Sequence, residues 1–411
     1  MLPVLSACRN GALLASLRSR ALSAALALVL LGGGSLGGSG ATAGELGPEP
    51  SSPPDLQRPL EPEETPRSEG PLRSETPEGA RQPGASAAPS PRAAPSAPAD
   101  PAPQAAPAVD LRQFVGSVVQ IRTTAVRDGE TVASLGLRRS GSGVIIGPST
   151  VLTIGYLLLE ADEVEVVTAS GRRIPASVAA QDPTSGFGIV RTALPLDGAP
   201  LELGDSDAVA EGAQVLTLGH GEPIATELVV LSRKPFSGTW EYLLEKPLFT
   251  FPPVNNWSGA ALIAPDGRLV GIGSLIVNDA APPGRNAVPG NLFVPVGLLE
   301  PVLDTLLADG KRPGPARPWL GVSTESVRGN LMVARVTPGG PAEQAGLGPG
   351  DVIVGVGEET VGGQADFYRK LWKAGPAGAE IPLRVLKGGA IRELNVRSVD
   401  REDFLRKPHG V

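Results

Sequence analysis

Side chains able to act as nucleophile, base or metal ligand are few in this chain. Its 411 residues hold one cysteine, Cys8, and two histidines, His220 and His409. A single cysteine excludes an intrachain disulfide framework and any cysteine-based metal site, and no metal or other cofactor is expected. Leu5-Ser6-Ala7-Cys8 has the form of a lipid-attachment box, but only four residues and no apolar segment precede it, so lipidation is not the expected outcome. Serine-type acyl transfer needs a hydroxyl nucleophile, an imidazole to take its proton, and a carboxylate that fixes the imidazole's tautomer and stabilises its charged form. Hydroxyls and carboxylates are plentiful, but imidazoles are scarce. Neither histidine lies between residues 110 and 219, and His409 is third from the end. The net charge of −7 divides into +3 for residues 1–43, −5 for 44–109 and −5 for 110–411. No segment is basic enough to neutralise phosphates, which excludes nucleic acid as a partner.

The elements that must position such groups begin near residue 110. All fifteen aromatic residues lie at or after Phe114, leaving the first 113 residues without large rigid side chains for a core. Within residues 1–43, Arg18 and Arg20 precede the apolar run Ala21 to Leu31, and small residues end at Ala41-Thr42-Ala43. A run of this length is short for a membrane span and suits an export signal cleaved after Ala43. Retention as an N-terminal membrane anchor is the alternative, and a transit peptide is a third reading. Residues 44–109 carry 17 prolines, ten acidic and five basic residues. Such a composition cannot bury enough apolar surface to offset its conformational entropy, so a disordered Pro/Ala-rich linker is expected.

From Asp110 onward, short β-branched runs alternate with Gly, Pro and Asp. Ser117–Thr123, Gly143–Ile146, Glu163–Val167, Gly188–Arg191, Gln214–Leu218, Glu227–Leu231, Leu248–Phe251, Leu269–Ile272 and Asn291–Val294 predict an all-β barrel or sandwich. Val296, Leu299, Val302, Leu303, Leu306 and Leu307 then form a stripe at helical spacing. Pro301 should kink its start and Gly310 should cap its end.

Ser140-Gly141-Ser142-Gly143-Val144-Ile145-Ile146, Val151-Leu152-Thr153, Leu203-Gly204-Asp205-Ser206-Asp207 and Asn256-Trp257-Ser258-Gly259-Ala260-Ala261-Leu262, followed by Gly267 to Ile272, occur in that order. Together they resemble the trypsin-like domain of HtrA (DegP-type) serine proteases. The resemblance implies two packed six-stranded β-barrels over residues 110–308 with the reacting groups between them. It places Ser258 at the nucleophile position, Tyr156 where the family has its histidine, and Gly186 where the family has its aspartate. Asn256 replaces the glycine whose N–H helps to hold the oxyanion. Asn256 tolerates left-handed backbone angles, so the loop itself is expected to persist. His220 falls where the family has a Gly-Asn-Pro turn and reads as an ordinary loop histidine. The resemblance therefore implies a degenerate member with one of three triad groups.

After a linker at 309–317, Trp319-Leu320-Gly321-Val322, Gly340 to Leu347 and Gly350-Asp351-Val352-Ile353 resemble the PDZ domain that follows the barrels in HtrA proteins. This match covers 318–400 and leaves a C-terminal tail at 401–411. PDZ domains take an extended peptide as an added strand and hold its terminal carboxylate with loop N–H groups. By this resemblance Trp319, Leu320, Gly321 and Val322 form the loop and the start of the receiving edge, while Tyr368 and Leu371 border the groove. The expected fold is thus an all-β double barrel of the trypsin-like type followed by a small α+β PDZ domain. The expected function is that of a peptide-binding pseudoprotease in the periplasm or cell envelope: an adaptor, holding factor or regulator for C-terminal or unfolded peptides. A homotrimer or co-assembly with an active relative is the expected assembly. The rival readings are an active endopeptidase using Ser258 with an unrecognised or partner-supplied base, and a structural tether. The chain's own hydrophobic end, His409-Gly410-Val411, is a further candidate occupant of the groove.

Overall fold

A computed structural model of the protein describes residues 112–407. The expected signal segment at 1–43, the linker at 44–109 and the last residues, 408–411, lie outside the described residues. The short helix α1 (Arg112–Val115) leads into six strands: β1 (Val118–Ala125), β2 (Arg138–Gly147), β3 (Thr150–Ile154), β4 (Ala161–Val167), β5 (Arg173–Asp182) and β6 (Phe187–Thr192), with α2 (Val132–Leu135) between β1 and β2. They close into an antiparallel barrel in the order β1-β2-β3-β6-β5-β4. In β1 the inward residues Val119, Ile121 and Thr123 are buried and alternate with half-buried polar ones, the period-2 pattern of a strand lining a core.

A second set follows: β7 (Gln214–Leu218), β8 (Ala225–Ser232), β9 (Phe236–Gly238), β10 (Tyr242–Leu244), β11 (Leu248–Phe251), β12 (Ala261–Ile263), β13 (Leu269–Val277) and β14 (Gly290–Pro295). Six of these close a second barrel, β11-β14-β13-β12-β7-β8. The other two, β9 and β10, pair only with each other as a hairpin projecting from this barrel. Residues of both barrels share one buried cluster, from Ile121 and Leu152 to Phe249 and Ile272. The helical stripe forms as two 3-10 turns, Val296–Leu298 and Glu300–Val302, and then α3 (Leu303–Asp309). The break falls at Pro301, and Gly310 caps the end in the left-handed conformation, where only glycine avoids a Cβ penalty.

The third part consists of β15 (Val322–Val327), β16 (Asn330–Val336), α4 (Pro341–Gln344), β17 (Val352–Val356), β18 (Glu359–Thr360), α5 (Gln364–Lys373), β19 (Glu380–Lys387), β20 (Ala390–Arg397) and α6 (Arg401–Phe404). Its sheet runs β15-β16-β17-β19-β20, leaving one side of β15 as a free edge beside α5. This is the double barrel and PDZ architecture that the sequence implies.

The linker at 309–317 and the described part of the C-terminal tail are packed against the folded domains. Arg312 of the 309–317 linker makes two hydrogen bonds, of 2.8 and 2.7 Å, to the buried carboxylate of Asp182 at the end of β5. The guanidinium of Arg317 lies 3.9 Å from the ring centre of Trp372 on α5. Beyond α6, the Arg406 N–H donates to Glu160 of the first barrel at 2.8 Å. Among the described residues no helix is long and apolar enough to cross a membrane.

Candidate functional site

The loop leading into β12 brings Ser258 to the junction of the barrels. Its carbonyl accepts the Ser142 N–H from β2 at 2.7 Å. The close approach requires Gly141, because a Cβ there would lie 2.8 Å from Ser258 Oγ and 2.6 Å from Leu157. The positive backbone angle in this loop belongs to Gly259, at φ +72°. Asn256 does not need the left-handed conformation it would tolerate; its side-chain amide donates to the Pro223 carbonyl at 2.8 Å.

Tyr156 sits on a 3-10 turn, Gly155–Leu157, directly after β3. Its hydroxyl is 2.8 Å from Ser258 Oγ and 3.0 Å from the carbonyl oxygen of Ser274 on β13. A phenol carries one proton and a carbonyl only accepts. The single phenol proton is therefore shared between two acceptors, Ser258 Oγ and the Ser274 carbonyl. Burial raises the Tyr156 hydroxyl above its ordinary value, partly offset by its hydrogen bond to Ser258, so the phenol stays neutral at pH 7. The ring is thus hydrogen-bonded to the serine, but as a neutral phenol it has no capacity to take the serine's proton.

Gly186 lies in the turn between β5 and β6 with φ +85°. A Cβ there would meet the Tyr242 hydroxyl oxygen at 2.8 Å and Cζ at 3.3 Å. Tyr242, from β10, is buried and donates to the Ser185 carbonyl, so its ring covers the space a carboxylate side chain would need. The nearest acid in the loop is Asp182. Burial pushes this carboxyl up, but hydrogen bonds from Arg312 and Ser185 outweigh that and hold it below the usual carboxylate range. Its oxygens are already taken by Arg312, Ser185 and Thr184. His220 is exposed on its loop, and its backbone N–H donates to Ser142 Oγ at 2.8 Å.

The PDZ residues singled out by sequence also converge, but on a group the sequence did not suggest. The N–H groups of Leu320, Gly321 and Val322 donate to Glu241 Oε1 at 3.1, 2.7 and 3.0 Å, and Leu320 also donates to Oε2 at 3.0 Å. Glu241 is the residue just before β10. Leu243, two residues on, joins the buried cluster that contains Leu320, Val322, Phe367, Tyr368 and Leu371. Tyr368 is fully buried, and its hydroxyl donates to the Gly238 carbonyl at 2.7 Å and accepts the Glu241 N–H at 3.2 Å. Burial pushes its phenol up to about 12. Trp319 is turned toward the C-terminal segment, its ring 4.8 Å from that of Phe404. All three tyrosines of the chain are therefore committed to this region: one on the serine, one over Gly186 and one in the groove. The hairpin residues Glu241, Tyr242 and Leu243 were missed by sequence reasoning. The available signal was Trp240-Glu241-Tyr242, a dense aromatic cluster in a chain with only 4% aromatics. Among the described residues no group of three or more His, Cys, Asp or Glu is placed to hold a metal ion.

Comparison with known proteins matches residues 141–272 to the trypsin-like peptidase domain model and residues 318–397 to the PDZ domain model. A probable periplasmic serine protease do/HhoA-like from Haemophilus influenzae is 28% identical over 281 residues, 63% of this chain and 58% of the relative. The periplasmic serine endoprotease DegP of Escherichia coli K12 is 26% identical over 273 residues, 62% of this chain and 56% of the relative. The chain thus spans less than three fifths of the length of these curated relatives. Among solved structures, the HtrA-type protease AlgW with decapeptide aligns at 22% identity with a TM-score of 0.46, covering 72% of this chain and 98% of that one.

Proposed function

Because the chain belongs to the HtrA (DegP-type) family of trypsin-like serine proteases with a PDZ domain, we propose that it is an exported pseudoprotease whose barrels serve as scaffold and whose function is to bind peptides. Its ligands are C-terminal or unfolded peptides of other proteins, and its role is that of adaptor, holding factor or regulator in the periplasm or cell envelope, including co-assembly with an active relative. The periplasmic relatives and the export-signal pattern of residues 9–43 support the location.

The observation that carries this reading is the Tyr156 hydroxyl held between Ser258 Oγ and the Ser274 carbonyl. A neutral phenol oxygen that already shares its proton with a carbonyl is no acceptor for the proton that Ser258 must lose as it attacks. In a serine protease with a complete triad, such as subtilisin, loss of the serine or histidine alone costs about 10⁶ in kcat, equivalent to about 8 kcal/mol of activation free energy. No carboxylate compensates, since Gly186 has no side chain and the oxygens of Asp182 are occupied.

The relatives are named as proteases and Ser258 is retained, which favours a second reading in which a partner supplies the base. A fluorophosphonate probe separates the two. The pseudoprotease predicts no labelling above that of Ser258→Ala and no casein cleavage, alone or mixed with an inactivated relative. Labelling of the wild type that disappears in Ser258→Ala, with serine-dependent cleavage, would reject it. Tyr156→Phe should also remain unlabelled while losing about 1–3 kcal/mol of stability from the stranded Ser274 carbonyl and Ser258 hydroxyl.

A further inference from the structure

We propose that Glu241 and Leu243 of the β9–β10 hairpin mimic a peptide C-terminus, so that the PDZ groove is closed at rest and a ligand's terminal carboxylate must displace the hairpin to enter. This inference rests on the peptide-binding reading above.

A terminal carboxylate in a PDZ groove is held by consecutive loop N–H groups, with an apolar side chain seated beneath. Both features are present here within one chain. The Glu241 carboxylate accepts from Leu320, Gly321 and Val322 at 2.7–3.1 Å. Leu243 is buried among the residues that the groove would offer to a ligand's last side chain. From the helix side, Tyr368 engages the hairpin backbone at Gly238 and Glu241. Gln364 Nε2 donates to the Thr324 carbonyl of β15 at 2.8 Å, engaging an acceptor on the strand that receives peptide. At the rim, Arg369 makes a two-point ion pair with Glu245 at 2.8 and 2.7 Å.

Two details separate a displaceable plug from permanent packing. Glu241 adopts φ +60°, a left-handed conformation that is costly for a side-chain-bearing residue and persists only where surroundings hold it. Among the described residues its enclosed carboxylate also has no ion-pair partner within 4 Å. Enclosure pushes it up to about 7 against the stabilising loop N–H groups, with Arg401 the main cation acting on it. A carboxylate held this way gives up its place more readily than one in a buried ion pair, because only backbone dipoles hold it and they are equally available to the incoming ligand.

The test uses the full chain and fluorescence anisotropy with labelled decapeptide pools, randomised except for a C-terminal Val, Leu or Phe, each as the free acid and as the amide. Apparent affinity is reduced by the fraction of protein in the open state. Glu241→Ala should therefore bind the free acids more tightly than wild type, by up to about tenfold if the hairpin is docked in about nine molecules of ten. The amides should bind neither protein. On wild type, saturating free-acid peptide should remove hydrogen-exchange protection from residues 238–244, a readout that stands even if the variant folds poorly. Equal or weaker peptide binding by a folded Glu241→Ala chain overturns the plug while leaving peptide binding intact, as does a hairpin that stays protected at peptide saturation. Absence of binding to any pool by either protein overturns the peptide-binding reading and the plug with it.

Discussion

Gly186 packs against Tyr242, and its surroundings determine whether any side chain fits. Gly186→Ala adds one Cβ at φ +85°, 2.8 Å from the Tyr242 hydroxyl oxygen. The left-handed backbone costs a side-chain-bearing residue about 1–2 kcal/mol, and overpacking a buried contact adds about 1–3 kcal/mol. The expected loss is about 2–5 kcal/mol. Tyr242→Phe removes the nearest atom and leaves Cζ at 3.3 Å, and by itself it costs about 1 kcal/mol for the hydrogen bond to the Ser185 carbonyl. If the hydroxyl is the obstacle, the double variant is less destabilised than the sum of the two single variants by about 1 kcal/mol or more. Urea unfolding followed by tryptophan fluorescence gives the three values, provided the slopes agree with wild type. Strict additivity, or a Gly186→Ala protein within about 0.5 kcal/mol of wild type, would refute the packing argument. The same reasoning predicts that Tyr156→His with Gly186→Asp will not recover a working triad, because the new carboxylate must first expel Tyr242.

The ion pair of Asp182 and Arg312 should be sensitive to acid. The folded Asp182 carboxyl lies below its unfolded value, so its contribution is complete above about pH 4 and is lost as pH falls through the folded value. Arg312→Ala should cost about 3 kcal/mol at pH 7, at the low end for breaking a buried pair because the Arg312 side chain keeps 30% of its surface in water, and should flatten the acid limb in a pH series of urea midpoints. Docking of the hairpin should show the opposite slope. The Glu241 carboxyl is raised to about 7 when docked, so docking takes up a proton, is fully favoured below about pH 4 and weakens by up to roughly 3 kcal/mol as pH rises to 7. Arg401 faces this carboxylate from α6, Tyr368 from α5, and Lys311, Arg312, Arg317, Asp182, Asp400 and Glu402 line the adjoining cavity. Glu241→Gln should therefore remove the pH 5–8 increase in acrylamide quenching of Trp240, and an unchanged increase would refute the assignment to Glu241.

What the sequence made legible followed from local rules. Strand positions emerged from short β-branched runs, and Gln214–Leu218 and Leu248–Phe251 coincide with strands β7 and β11. The break at Pro301 and the cap at Gly310 follow from backbone restrictions on those two residues alone. Strand β5 was missed because Ala176, Ala179 and Ala180 dilute its β-branched signal, and the β9–β10 hairpin because two three-residue strands are too short to show a period. At the site, ordered motifs pointed to Ser258, Tyr156 and Gly186, and the Tyr156 hydroxyl lies 2.8 Å from Ser258 Oγ. What fills the space around them was hidden, because Tyr242, Ser274 and Glu241 come from segments 56–118 residues away from the positions they serve. A long-range contact of this kind carries no local sequence pattern.

Glu241 and Tyr242 are neighbours in sequence and serve opposite sides of the hairpin. The first places its carboxylate in the PDZ loop, and the second places its ring over Gly186 of the first barrel. With glycine at 186 there is room for Tyr242, and with Tyr242 seated, Glu241 is brought to the loop N–H groups in the left-handed conformation that the turn imposes. An aspartate at 186 would contest the same volume, shift the ring, and with it the carboxylate one residue away. On this geometry the bare backbone at 186 and the hairpin's seat in the PDZ loop are physically linked, because the volume beside Gly186 is the volume that Tyr242 fills. The linkage predicts that Gly186→Ala, where it folds, opens the groove without touching it, and so tightens free-acid peptide binding in the same direction as Glu241→Ala. A folded Gly186→Ala protein with wild-type peptide affinity would separate the two features and leave the plug independent of the barrel.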